Sequence, residues 1–195
     1  MKRLLLLALF MPLLSFGQKI EFTEMGGISI GEDPSLPPGQ ALLPDAGLCS
    51  RFTASYYFTH FFSLGAVCEY SWWDFNVVSV GATADFQFRW AYMGLDVCYV
   101  HLSNLSLAAY NQPQDVVTYK PTIQIGWHLG LRQRLARRLY IKEQLGSYYS
   151  SVSNHINNED YVTRQFRYTD ILVGLSYRFP IRKTLHDNVT DNRMR

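Results

Sequence analysis

Charge is what this chain has least of: Asp, Glu, Lys and Arg make up 17% of it, against roughly 25% in ordinary soluble domains. Nor does either sign prevail. There are 18 basic and 16 acidic residues, and setting Lys2 and Arg3 aside brings the basic count to 16. A formally neutral chain has no basic surplus with which to hold nucleic acid, so none is expected as a partner. Beyond Gly17 there is no long apolar run, which excludes a membrane-spanning helix from the remainder. Cysteine is scarce and odd in number (Cys49, Cys68 and Cys98), which argues against a complete disulfide framework in an exported protein. With no Cys-x-x-Cys and no histidine cluster, neither a metal nor a cofactor is expected.

What is present begins with an export signal. Lys2 and Arg3 form a charged start, Leu4 to Leu14 an apolar run too short to span a bilayer, and Ser15 and Gly17 small residues placed for cleavage before Gln18. The residue after the cleavage point is Gln18 and not a cysteine, which argues against a lipoprotein anchor. The organisation predicted is a signal peptide over 1–17, one domain over 18–180, and a polar tail of mixed charge over 181–195 expected to be solvated.

Aromatic residues are abundant, at 15%, and they sit in an alternating pattern. In Tyr168–Phe179, Ile171, Val173, Leu175, Tyr177 and Phe179 share one strand face, with Asp170, Gly174, Ser176 and Arg178 on the other. Similar alternation recurs from Lys19 to Ile30, Gly47 to Phe58, Phe61 to Trp73, Val78 to Phe88, Ala91 to Ser103 and Pro121 to Arg132, and in a stretch ending near Tyr149. Glu24 interrupts the apolar row of the first stretch. Long loops are predicted over Gly31–Ala46, Asn104–Tyr119 and Ser150–Thr163, with short turns at the opposite end. Phe58, Phe61, Phe62, Phe86, Phe88, Tyr177 and Phe179 gather near the short turns, and Trp72, Trp73, Phe75, Tyr99 and Tyr148 near the loops. The fold class expected is all-β, an antiparallel up-and-down transmembrane β-barrel of about eight strands. A soluble barrel with its apolar face inward would need a well-charged exterior. Here the polar rows are instead rich in Gly, Ser, Thr and Gln.

The closing stretch resembles the last strand of bacterial outer-membrane barrels, and the chain as a whole resembles the small OmpX- and OmpA-like class. That resemblance implies residence in the outer membrane with both termini in the periplasm. It also implies surrounding lipids that include lipopolysaccharide, handling by the barrel insertion machinery, and an extracellular or envelope protein as a possible partner of the loops. A barrel this narrow is filled by side chains. The inward rows carry Arg51, Glu69, Asp85, Asp96, His128, Arg132, Lys142, Asp170 and Arg178, and buried charges must be paired. A plugging network is therefore expected in preference to a solute path.

One short constellation suggests chemistry. His101 and Ser103 share the face of Val97 and Tyr99 at the loop end of a strand, and Asn104 follows. This resembles the His-x-Ser-Asn motif of PagL-type lipid A 3-O-deacylases. The resemblance implies His101 as general base, Ser103 as nucleophile, Asn104 as an oxyanion contact and Asp115 as the acid that orients the histidine. In that family the motif precedes the final strand, whereas three strands follow it here. Three functions thus stand open: a structural or surface-interaction role through the loops, a lipid A ester hydrolase at the rim, or an accessory subunit of an envelope export or assembly system.

Overall fold

Along each strand, side chains alternate between the inside of a closed wall and its outside. In β1 (Lys19–Gly31), Glu21, Thr23, Met25 and Ser29 are buried, while Phe22 and Ile28 are exposed. The computed structural model describes residues 19–31, 45–73, 76–103, 117–120, 122–156 and 162–180. The remaining strands are β2 (Asp45–Tyr57), β3 (Phe62–Trp72), β4 (Asn76–Phe88), β5 (Ala91–Ser103), β6 (Val117–Lys120), β7 (Thr122–Arg134), β8 (Leu139–Ile156) and β9 (Val162–Pro180).

All pairings are antiparallel. β6 and β7 act as one strand with a break between Lys120 and Thr122, where the sequence has Pro121, since both lie along β8. The register slips by one residue between them, from Val117 opposite Ile156 to Gln124 opposite Ser150. A proline has no N–H for the ladder, so a break or bulge is the expected response. With those two counted together the molecule is a closed antiparallel barrel of eight strands. Closure comes where β9 pairs with both β1 and β8, which leaves no unpaired edge along the wall.

The polarity of this barrel is reversed relative to a soluble one. Among the described residues, more polar than apolar side chains are buried. The outer wall carries Leu64, Val80, Leu95, Ile125, Trp127, Leu145 and Val173. Only a lipid solvent makes such an exterior favourable, and closure satisfies the backbone that lipid cannot. Two acids break the belt. Glu24 is exposed between Phe52 and Leu175, and Glu143 is exposed between Leu131 and Val173.

At the end that holds Lys19 and Pro180, short turns at 58–61, 89–90 and 135–138 join the strands. Arg89 takes the left-handed φ of 49° that the two-residue turn demands. Phe61, Phe86, Phe88, Tyr177 and Phe179 face outward near this end.

Three expectations need correction. Ser150–Thr163 is largely strand, because β8 runs to Ile156 and β9 begins at Val162. Tyr119, expected in a loop, lies in β6. Trp73 and Tyr148, expected in the loop-end girdle, are buried inside. Each has an aromatic neighbour of opposite parity, Trp72 and Tyr149, and that neighbour is the one facing outward. The loop segments 32–44 and 104–116 lie outside the described residues.

Candidate functional site

The inward-facing side chains form two polar groups and an aromatic one. The central group is organised by Arg51 on β2. Its Nη1 donates to Glu69 Oε2 at 3.0 Å and to the Tyr148 hydroxyl at 2.7 Å, and its Nη2 donates to Asp96 Oδ2 at 2.7 Å. Arg51, Glu69 and Asp96 are all buried. A planar guanidinium with donors in a fixed fork suits this three-way contact better than an ammonium would.

His128 continues the chain of contacts. Its Nδ1 lies 3.2 Å from Asp96 Oδ2 and its Nε2 lies 2.9 Å from Asp85 Oδ1. Ionised carboxylates only accept hydrogen bonds, so the imidazolium form, with both nitrogens as donors, is the one that satisfies both contacts. Gly94 makes room for the pair, because a Cβ there would lie 2.4 Å from both Asp85 Oδ1 and His128 Nε2. On the other side of Arg51, the Tyr168 hydroxyl sits 2.9 Å from Glu69 Oε1 and 3.0 Å from Gln124 Oε1.

The second group surrounds Glu21. Lys142 Nζ lies 2.6 Å from Glu21 Oε1, Arg178 Nε donates to Oε2 at 2.8 Å, and Arg132 stands 3.7 Å from the same oxygen. The Tyr57 hydroxyl donates to Oε1 at 3.2 Å. Gln87 accepts from Arg132 at 2.6 Å and from Arg178 at 3.3 Å. Tyrosine rings receive the cations on their faces: Arg178 lies 4.1 Å above Tyr57, Arg132 4.4 Å above Tyr140 and Lys142 4.9 Å above Tyr92. One carboxylate thus faces three cations here. In the central group the carboxylates of Glu69, Asp85, Asp96 and Asp170 outnumber the two cations, Arg51 and His128.

The aromatic group is Trp73, Phe166, Tyr148 and Tyr168, packed with Val77 and Val100. Tyr148 and Tyr168 stack at 5.0 Å, and Trp73 meets the Phe166 ring edge-on at 5.7 Å. Gly126 permits this, since a Cβ there would lie 2.1 Å from the Tyr148 ring.

The nine inward charges named from the sequence thus fall in two places. Arg51, Glu69, Asp85, Asp96, His128 and Asp170 occupy the central region, and Arg132, Lys142 and Arg178 surround Glu21. Glu21 itself was not among them, although it lies on the row of Thr23 and Met25. Glu24, of opposite parity, interrupts the apolar row on the other face of the same strand and weakens its alternation. The tyrosines and glutamines that complete the contacts carry no charge to signal them.

His101 is exposed and lies opposite Val78 on the outer wall at the end of β5. The backbone of Ser103 pairs with that of Asn76. The Ser103 side chain, Asn104 and Asp115 lie outside the described residues.

No family model and no curated protein matches the chain. Solved structures do match over most of its length. Neisserial surface protein A is 15% identical with a TM-score of 0.57, covering 83% of this chain and 97% of that one. The outer membrane protein AlkL, solved in lipid bilayers, is 12% identical with a TM-score of 0.53, covering 87% and 93%. OprG from Pseudomonas aeruginosa is 13% identical with a TM-score of 0.50, covering 85% and 98%. The fold shared with these three is that of the small outer-membrane β-barrels.

Proposed function

We propose that this chain is an outer-membrane barrel whose lumen is a structural plug and whose activity resides in the segments at its loop end. The observation that carries this reading is the Arg51 group, in which one buried guanidinium ties three strands across the interior. An eight-stranded wall leaves only enough interior for side chains, and here those side chains grip one another. The membrane placement is supported by the apolar exterior. The orientation is supported by the short turns at the end bearing Lys19 and Pro180, since periplasmic turns are short and extracellular connections longer. In this orientation the loop end meets lipopolysaccharide and any extracellular or envelope partner, and the barrel insertion machinery acts on the chain during biogenesis. The direct test is conductance across a planar bilayer. The intact barrel is expected to be silent, and steady unitary currents would refute the plug.

A second reading rests on His101, exposed on the lipid side of the wall, with Ser103 two residues along the same strand. A lipid A ester hydrolase would place its base and nucleophile there, at the level of the acyl chains. Mass spectrometry of lipid A from cells expressing the wild type or Ser103→Ala separates the two readings. The plug-and-loop reading expects identical acyl patterns, whereas an ester-linked chain lost only with the wild type would establish the hydrolase.

A further inference from the structure

Among the described residues, the one buried carboxylate without a counter-charge in contact lies beside a thiol. Asp170 on β9 is fully buried, and neither of its oxygens has a hydrogen-bond partner. Facing it are Glu69 on β3 and Cys49 on β2, which are 2% and 4% exposed. The Cys49 sulfur and one oxygen from each carboxylate lie within 4.8 Å of one another. Two neighbouring hydroxyls are also orphaned. Ser29 is opposite Asp170 in register, Ser71 is opposite Cys49, and neither Oγ has a partner. Gly27 stands opposite Cys49 on β1 and contributes no side chain between them.

A buried carboxylate without a counter-charge is costly, and a second carboxylate beside it makes the place favourable for a cation. The protein supplies it to Glu69 through Arg51, but not to Asp170: among the described residues no cation pairs with it. The surplus cations of the lumen, Arg132, Lys142 and Arg178, are held around Glu21. The central region holds four carboxylates against Arg51 and His128.

We propose that Cys49, Glu69 and Asp170 bind a divalent transition-metal ion of the zinc class inside the barrel. A thiolate with two carboxylates is a donor set for a borderline ion, not for calcium or magnesium, which take oxygen alone. In a tetrahedral site, ion-to-donor distances of about 2.0–2.3 Å place two donors roughly 3.3–3.8 Å apart, so the three side chains must close by up to about 1 Å to converge. On binding, the Cys49 thiol releases its proton to water and the sulfur–metal bond forms, with no change in oxidation state. Arg51, bonded to Glu69 Oε2, orients one carboxylate from outside the ion. The ion would brace β2 and β3 to β9, close to the seam where β9 closes the barrel on β1. No spacing in the sequence announces such a site, because its ligands come from three separate strands.

The test uses the full chain extracted from membranes in detergent, carrying Cys68→Ser and Cys98→Ser so that Cys49 is the sole thiol. After incubation with Zn²⁺ or Co²⁺ and gel filtration, about one equivalent is expected to remain, held by three side chains with a fourth position open to water. The cobalt form is expected to show thiolate-to-metal charge-transfer absorption. Cys49→Ser removes that absorption, and Asp170→Asn weakens Zn²⁺ binding by at least about tenfold. Both variants should keep heat-modifiable migration in SDS, which establishes that the barrel is intact. If Asp170→Asn fails to fold, Asp170→Glu serves in its place, retaining the donor while shifting the cobalt spectrum. A folded parent that retains no metal would overturn the proposal. So would binding that neither Cys49→Ser nor Asp170→Asn alters, since the metal would then sit elsewhere.

Discussion

At the scale of single residues, the interior depends unequally on its charges. Arg51 has no substitute: it alone contacts Glu69, Asp96 and Tyr148 together. Lys142 shares Glu21 with Arg178 and Arg132. Removing one partner of a buried pair leaves the other charge uncompensated, at about 3–5 kcal/mol. Removing a cation whose carboxylate keeps two others costs nearer the ordinary 1–3 kcal/mol of a lost charge-assisted bond. Arg51→Met should therefore destabilise the barrel clearly more than Lys142→Met, as read from urea titration of reversible folding in detergent. Equal losses would mean that the network does not rank its members as these contacts imply. Parity along each strand was enough to place Arg51 and His128 inside. It could not say which acid meets which base, because that depends on how the wall curls the strands around the axis. Glu21 shows the same limit, since its partners lie on β7, β8 and β9.

At the scale of the strand, alternation is legible only where lipid enforces it. Inside the bilayer each outward residue must be apolar, so β3, β4 and β5 stand out in the sequence with bounds close to those observed. Past the membrane the backbone ladder continues without lipid to enforce an apolar row, and the sequence pattern fades. That is why Ser150–Ile156 reads as loop yet forms strand, with Ser150–Asn154 paired to Val162–Phe166 and His155 and Ile156 paired to β6. Pro121 had the opposite effect, concealing that β6 continues the line of β7 along β8. The lipid rule also identifies its own violations. Glu24 is flanked across the sheet by Phe52 and Leu175, where a carboxylate gains nothing from its surroundings. A charged residue on the lipid face costs up to about 2–4 kcal/mol at the midplane for a base and less for an acid. Glu24→Leu is thus expected to stabilise the barrel by about 1–2 kcal/mol in phospholipid vesicles. A loss of stability would indicate that this face meets something other than lipid.

At the scale of the whole molecule, the lumen is balanced in total and unbalanced along its length. The five acids Glu21, Glu69, Asp85, Asp96 and Asp170 match the five bases Arg51, His128, Arg132, Lys142 and Arg178. The acidic surplus lies in the central region and the basic surplus around Glu21. A solute would have to part the Tyr148–Tyr168 stack, break the Arg51 contacts, and then pass three cations fixed on one carboxylate. The last two steps break charge-assisted bonds between buried groups, where the low local dielectric makes them strong. This is why the intact barrel should be silent in a planar bilayer, and why silence should be lost by design. Arg51→Ala combined with Tyr148→Ala removes the two groups joined at 2.7 Å in the middle of the plug and leaves the carboxylates in place. If that variant still migrates as a folded barrel, it should pass small ions, with a current that differs with the sign of the voltage because the remaining charge is asymmetric along the axis. A folded double variant as silent as the wild type would show that the seal lies elsewhere, in the Trp73–Phe166 cluster or the Glu21 group, and not in the network around Arg51.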